Sequence, residues 1–133
     1  MTHTQGKIFN VLFVDDNRDI VDLGETVLEN ERIDVETTTN PEEAYRMFLE
    51  NDYDAVISDF QMPEMTGEEL YEEVSAHDDE IPFFVHTGSD LTEVAQTEPQ
   101  ECYFEHHEKV GGLESYREIA AQIQSCASDY REN

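Results

Sequence analysis

Asp54-Ala-Val-Ile-Ser-Asp59-Phe-Gln-Met-Pro-Glu-Met-Thr-Gly67 decides how the rest of the chain is read. Ala55 to Ser58 is a short, mostly apolar run that ends on an acid, Asp59. Such a run suits a strand buried on both faces of a parallel sheet. A loop through Met62 and Pro63 follows. Thr66-Gly67-Glu68-Glu69 then has the form of a helix start, with Thr66 as N-cap and Glu69 closing a capping box. A carboxylate at the carboxyl end of a buried strand lies where open α/β sheets put their ligands. The plainer reading is an acid that caps a turn, and the other strand ends decide between the two.

Working back toward the amino terminus, Ile8 to Val14 is an almost unbroken apolar run, a central strand, and it stops at Asp15-Asp16-Asn17. A helix follows with Ile20, Leu23, Val27 and Leu28 on its inner face. Ile33, Val35 and Thr37 alternate with Asp34, Glu36 and Thr38, as in a half-exposed edge strand. Asn40-Pro41-Glu42-Glu43 opens a second helix through an N-cap, a first-turn proline and a capping-box glutamate, and Ala44, Phe48 and Leu49 point inward.

Working forward, Leu70, Tyr71 and Val74 form the apolar face of the helix after Thr66. Ile81 to His86 is a fourth strand, ending at Thr87-Gly88-Ser89. A weak helix with Leu91, Val94 and Ala95 stops at Pro99. Cys102-Tyr103-Phe104 opens a fifth strand that runs through Glu105-His106-His107-Glu108 to Lys109. After Gly111-Gly112, Leu113, Tyr116, Ala120, Ile123 and Ala127 recur at helical spacing. Strand and helix alternate five times. The expected fold is therefore α/β: a doubly wound, five-stranded parallel sheet, strand order 2-1-3-4-5, with five helices on its two faces. One domain is expected over 8–128, with 1–7 a frayed start and 129–133 a tail or the beginning of a linker.

The 133 residues include 33 Asp and Glu against 7 Lys and Arg, a net charge of −26. So acidic a composition is also that of disordered tails, but here the apolar residues fall in strand-like and helix-like blocks along the whole length. Self-repulsion of this size loosens a compact state in dilute buffer, and molar salt screens it over roughly 3 Å. A very salty cytoplasm is the expected setting. The charge argues against nucleic acid or an anionic membrane as a direct partner. No apolar leader and no membrane-length apolar run is present. Cys102 and Cys126 form no CxxC and no zinc spacing. A soluble cytoplasmic protein with free thiols is expected.

In a doubly wound sheet the strand ends share one edge, and the crevice opens between strands one and three, where the winding reverses. Asp15, Asp16, Asp59, Thr87 and Lys109 all fall on that edge. Three carboxylates there repel one another unless a cation sits among them, and oxygen-only ligands favour a hard ion such as Mg²⁺. A metal, a lysine and a hydroxyl around one carboxylate suit phosphoryl transfer, with Asp59 as the acceptor. Each residue alone is weak: paired acids commonly cap helices, and a lone lysine is commonly solvated. Asp15-x-Asn17-x-Asp19 begins like a calcium loop, but Ile20 stands where glycine is required and Thr26 where the closing glutamate belongs. Neighbouring His106 and His107 would face opposite sides of a strand, against a shared metal. The Asp-x-Asp-x-Thr run of a haloacid-dehalogenase-type phosphatase is not supplied by Asp15-Asp16-Asn17-Arg18.

Val14-Asp15-Asp16, Asp59 with Met62-Pro63 and Gly67, Thr87-Gly88, and Lys109 together resemble the receiver domain of two-component response regulators. The resemblance spans about residues 8–128 and implies a flavodoxin-like fold. It implies that Asp59 accepts the phosphoryl group from a histidine kinase or phosphotransfer protein. Asp16, Asp59 and the Gln61 carbonyl would bind Mg²⁺, with Asp15 acting through water. Lys109 would pair with a phosphoryl oxygen, and Thr87 would move to hydrogen-bond it. Such a domain is a phosphorylation-dependent switch rather than an enzyme, at most catalysing its own phosphorylation and dephosphorylation. Pro82 to Gly88 and Lys109 to Tyr116 look most like receivers of halophilic archaea. Two departures stand out: Val110 replaces the usual proline after the lysine, and His106 occupies the place of the switch aromatic. The alternative is a receiver-fold docking module that works without phosphorylation.

Overall fold

The computed structural model describes residues 8–59, 62–87, 105–108 and 113–132. Its strands are β1 (Phe9–Val14), β2 (Ile33–Thr38), β3 (Ala55–Ser58), β4 (Phe83–Thr87) and β5 (Glu105–Glu108). They form one five-stranded sheet in the order β2-β1-β3-β4-β5, parallel throughout. Among the described residues the helices are α1 (Arg18–Glu29), α2 (Pro41–Glu50), α3 (Gly67–His77) and α4 (Leu113–Glu132). The weak helix expected around Leu91 to Ala95 lies outside the described residues, as do Cys102 to Phe104 of the expected fifth strand. The last helix runs on to Glu132.

The apolar run of β1 feeds two cores because successive side chains alternate across a sheet. Phe9, Val11 and Phe13 join Ile57 and Phe84 beneath α1 and α4, with Val27, Leu28, Ile119 and Ile123. Leu12 and Val14 join Val56, Phe83 and Val85 beneath α2 and α3, with Ala44, Leu70 and Val74. Both faces of the sheet are therefore covered, and loss of a fully buried ring such as Phe13 to Ala would cost about 3–5 kcal/mol.

The helix starts follow their sequence signals. Thr66 and Glu69 form the full reciprocal capping box of α3. At α2, Asn40 accepts the Glu43 N–H, but the Glu43 carboxylate turns to the Thr38 hydroxyl instead of closing the box. Two inward assignments are corrected. Leu23 is 39% exposed and Leu49 is 48% exposed. In α1, Val27 and Leu28 are buried and Ile20 packs against the core as expected, but Val21 and Gly24 complete the inner face in place of Leu23. In α2 the short side chain of Ala44 makes the close approach, and Leu49 falls on the far side. Among the described residues, no helix is long and apolar enough to cross a membrane.

The expectation of free thiols is also corrected: Cys126 is disulfide-bonded. It lies in the core cluster beneath α1 and α4.

Candidate functional site

β1 and β3 pair in parallel with Val14 opposite Ser58. The residues that follow, Asp15 and Asp59, therefore leave the sheet side by side at its carboxyl edge. The Asp59 N–H donates to the Val14 carbonyl at 2.9 Å, and the Asp15 N–H donates to the Thr38 carbonyl at 3.3 Å. Each acid is thus fixed by its neighbouring strand.

Asp15, Asp16 and Asp59 bring one carboxylate oxygen each to within 4.8 Å of one another. Asp15 and Asp59 are buried, and Asp16 is exposed. At that separation each ionised pair repels by roughly 3–4 kcal/mol at an effective dielectric of about 20. An all-carboxylate donor set open to solvent on one side fits a small hard divalent cation, which relieves the repulsion and keeps waters of its own.

The alternative, that the acids serve as caps, is answered by α1 itself. Its N-cap is Asn17, whose side chain accepts the N–H groups of Asp19 and Ile20. Asn17 in turn donates its own N–H to Asp15 Oδ1 at 2.9 Å. Asn17 thus starts the helix and orients Asp15, leaving the acids for the crevice. Met62, three residues beyond Asp59, is buried in the core beneath α2 and α3.

Two supporting residues escape a reading of the sequence. Thr38, placed outward by the alternation of β2, is buried, and its carbonyl anchors Asp15 while its hydroxyl donates to Glu43. Ser58 is fully buried, and its hydroxyl donates to the Asp59 carbonyl at 2.8 Å. A hydroxyl residue as the last position of a strand is the signal common to both. Thr87 ends β4, which pairs with β3 on the same edge; its side chain is outside the described part. Gln61 and Lys109 lie outside the described residues.

A family model of the response regulator receiver domain matches residues 11–101. The chain belongs to that family. This receiver is 40% identical over 79 residues to response regulator SaeR of Staphylococcus aureus, a match covering 59% of this chain and 34% of that protein. It therefore spans about a third of the curated relative. Among solved structures, a response regulator receiver domain protein from Clostridium thermocellum is similar with TM-score 0.82 and 23% identity, covering 93% of this chain and 98% of that one. Response regulator TrrA of Thermotoga maritima, solved in complex with Mg²⁺–BeF, is similar with TM-score 0.74 and 23% identity, covering 87% and 99%. At those identities both likenesses speak for the fold: a parallel α/β sheet of the flavodoxin-like receiver type.

Proposed function

We propose that this receiver takes a phosphoryl group onto Asp59 from a histidine kinase or phosphotransfer protein and passes the signal on by a change of conformation. The observation that carries the proposal is the meeting of Asp15, Asp16 and Asp59 within 4.8 Å at the carboxyl edge between β1 and β3. Asp16, Asp59 and the Gln61 carbonyl would hold Mg²⁺ directly, with Asp15 holding it through water. When bound, the ion neutralises charge on the acids and on the incoming phosphoryl oxygens. An Asp59 carboxylate oxygen attacks phosphorus in line, the phosphorus–nitrogen bond of the donor breaks, and the donor imidazole keeps the bonding pair and takes up a proton. Lys109 pairs with a phosphoryl oxygen. Thr87 donates its hydroxyl to another, and that shift is the beginning of the switch. The domain works over about 8–128 as a switch that at most catalyses its own phosphorylation and dephosphorylation.

The net charge of −26 supports a setting of high salt, as in halophilic archaea, and a cytoplasmic location with neither nucleic acid nor membrane as a direct partner.

Incubation with Mg²⁺ and a small acyl-phosphate donor is expected to add one phosphoryl mass to the wild type and none to Asp59→Asn. An unchanged wild-type mass in folded, Mg²⁺-loaded protein would overturn the proposal in favour of a docking module. For the salt reading, circular dichroism should become more native-like from dilute buffer toward molar KCl. Equal spectra and equal heat resistance at both extremes would remove it.

A further inference from the structure

β3 is apolar until its last residue, and that residue is a serine. Ser58 lies opposite Val14 of β1 and Val85 of β4. By alternation its side chain shares a face with Val56, on the side of the sheet beneath α2 and α3 where Val14 and Val85 are buried. Ser58 is itself fully buried. A hydroxyl in such a place costs stability unless it is hydrogen-bonded, so an apolar residue is the default there. The hydroxyl has a partner: it donates to the Asp59 carbonyl at 2.8 Å.

That partner belongs to the acceptor acid. The hydrogen bond closes a small ring that runs from Ser58 Oγ through its Cβ, its Cα and the peptide bond to the Cα and carbonyl of Asp59. Both backbone torsions of Asp59 lie inside the ring. On the other side, the Asp59 N–H is held on the Val14 carbonyl at 2.9 Å. Both main-chain polar groups of Asp59 are thus held, and the direction in which its side chain leaves the backbone is held with them. In-line attack on phosphorus depends on that direction, because a small displacement of a reacting atom costs rate steeply. Thr38 also ends a strand with a buried hydroxyl, but that hydroxyl donates to Glu43, and Thr38 meets Asp15 through its main-chain carbonyl, which any residue supplies. At Ser58 the side chain itself makes the contact.

We propose that Ser58 is a positioning residue, whose hydroxyl locks the backbone of Asp59 so that the carboxylate meets Mg²⁺ and the incoming phosphoryl group already aligned. The proposal rests on Asp59 as the acceptor. The plainer alternative is a buried hydroxyl that has found the nearest carbonyl, with consequences for stability only.

The test compares the whole wild-type chain with Ser58→Ala, which removes the donor, and Ser58→Thr, which keeps it. Mass spectrometry follows phosphoryl uptake from a small acyl phosphate at saturating Mg²⁺, per folded molecule. Calorimetry gives the Mg²⁺ affinity, and NMR without the ion gives the carbonyl carbon shift of Asp59. Ser58→Ala should take up phosphoryl and bind Mg²⁺ about three- to tenfold less well, the worth of one hydrogen bond. Its Asp59 carbonyl resonance should move, and Ser58→Thr should restore all three. Equal uptake rates and equal Mg²⁺ affinities in wild type and Ser58→Ala would overturn the positioning role, whatever their stabilities. A wild type that takes up no phosphoryl group would strike the acceptor reading instead, and the Mg²⁺ affinities would still decide for or against Ser58. Were the added methyl to keep Ser58→Thr from folding, Ser58→Cys, a weaker donor, supplies a partial rescue.

Discussion

At the start of β3, Asp54 is 7% exposed; just past its end, Asp59 is 8% exposed. Burial does not distinguish these two acids, but their company does. Asp54 meets the backbone of Asn10: its Oδ2 accepts the Asn10 N–H at 2.8 Å, and its own N–H donates to the Asn10 carbonyl at 2.6 Å. That exchange ties β3 to β1 at the amino edge of the sheet. Asp59 shares its surroundings with Asp15 and Asp16 instead. A buried acid facing a donor fastens the fold, whereas acids gathered together repel one another until a cation sits among them.

The largest expected effect comes from replacing each acid in turn. Asp59→Asn should abolish phosphoryl uptake and, without Mg²⁺, raise the unfolding free energy by about 1–2 kcal/mol as repulsion is relieved. Asp54→Asn should keep phosphoryl uptake and lower stability by about 1–2 kcal/mol, since a charged acceptor is lost from the Asn10 N–H. Mass spectrometry and urea unfolding read both, and stability changes of the same sign would break the comparison.

Next is the ion itself. At about a hundred times its dissociation constant, Mg²⁺ should stabilise the wild type and Asp54→Asn by about 2.7 kcal/mol. Asp59→Asn should gain much less, as seen by thermal unfolding with and without the ion. Equal gains in all three would place the ion elsewhere.

The amino edge has its own titration. Burial, and then the hydrogen bond to Glu36, push the Tyr53 phenol above its usual range. The folded-state pKa is the raised one, so the unfolded chain gives up this proton first. Stability from Tyr53 is intact below pH of about 10 and is lost as pH rises beyond it. Urea midpoints measured upward from about pH 9 should fall less steeply in Tyr53→Phe, while Asp59→Asn should keep the wild-type slope.

The smallest effect belongs to Arg32, which enters β2 at the same edge with φ of 66°. That left-handed conformation costs a residue bearing a Cβ more than it costs glycine. Arg32→Gly should stabilise by about 0.5 kcal/mol, a rise in Tm of a degree or two, with phosphoryl uptake unchanged.

Much of this was legible in the residues. β1 and β3 are apolar on both faces because both are covered, and Asp15, Asp16 and Asp59 converge because strand ends in such a sheet share an edge. The errors have physical causes. In α1, Gly24 is buried but has no side chain to mark the inner stripe, so the apolar pattern points to Leu23 in its place. Thr38 breaks the alternation of β2 because its hydroxyl has a partner in Glu43. The bond at Cys126 was illegible because the approach of two cysteines is set by tertiary packing rather than by their spacing in the chain.

The pairing of Val14 with Ser58 has a consequence for how this chain can change length. Asp15 and Asp59 meet because the residues of β1 and β3 are counted off from a common register. One residue inserted or deleted between Val11 and Asp15, or between Ala55 and Asp59, would send every following side chain to the opposite face. The turns at the other edge, around 30–32 and 51–52, stand outside that count. Indels drawn from a random library should survive there and vanish from the two strands, and new chain ends cut by permutation should follow the same map.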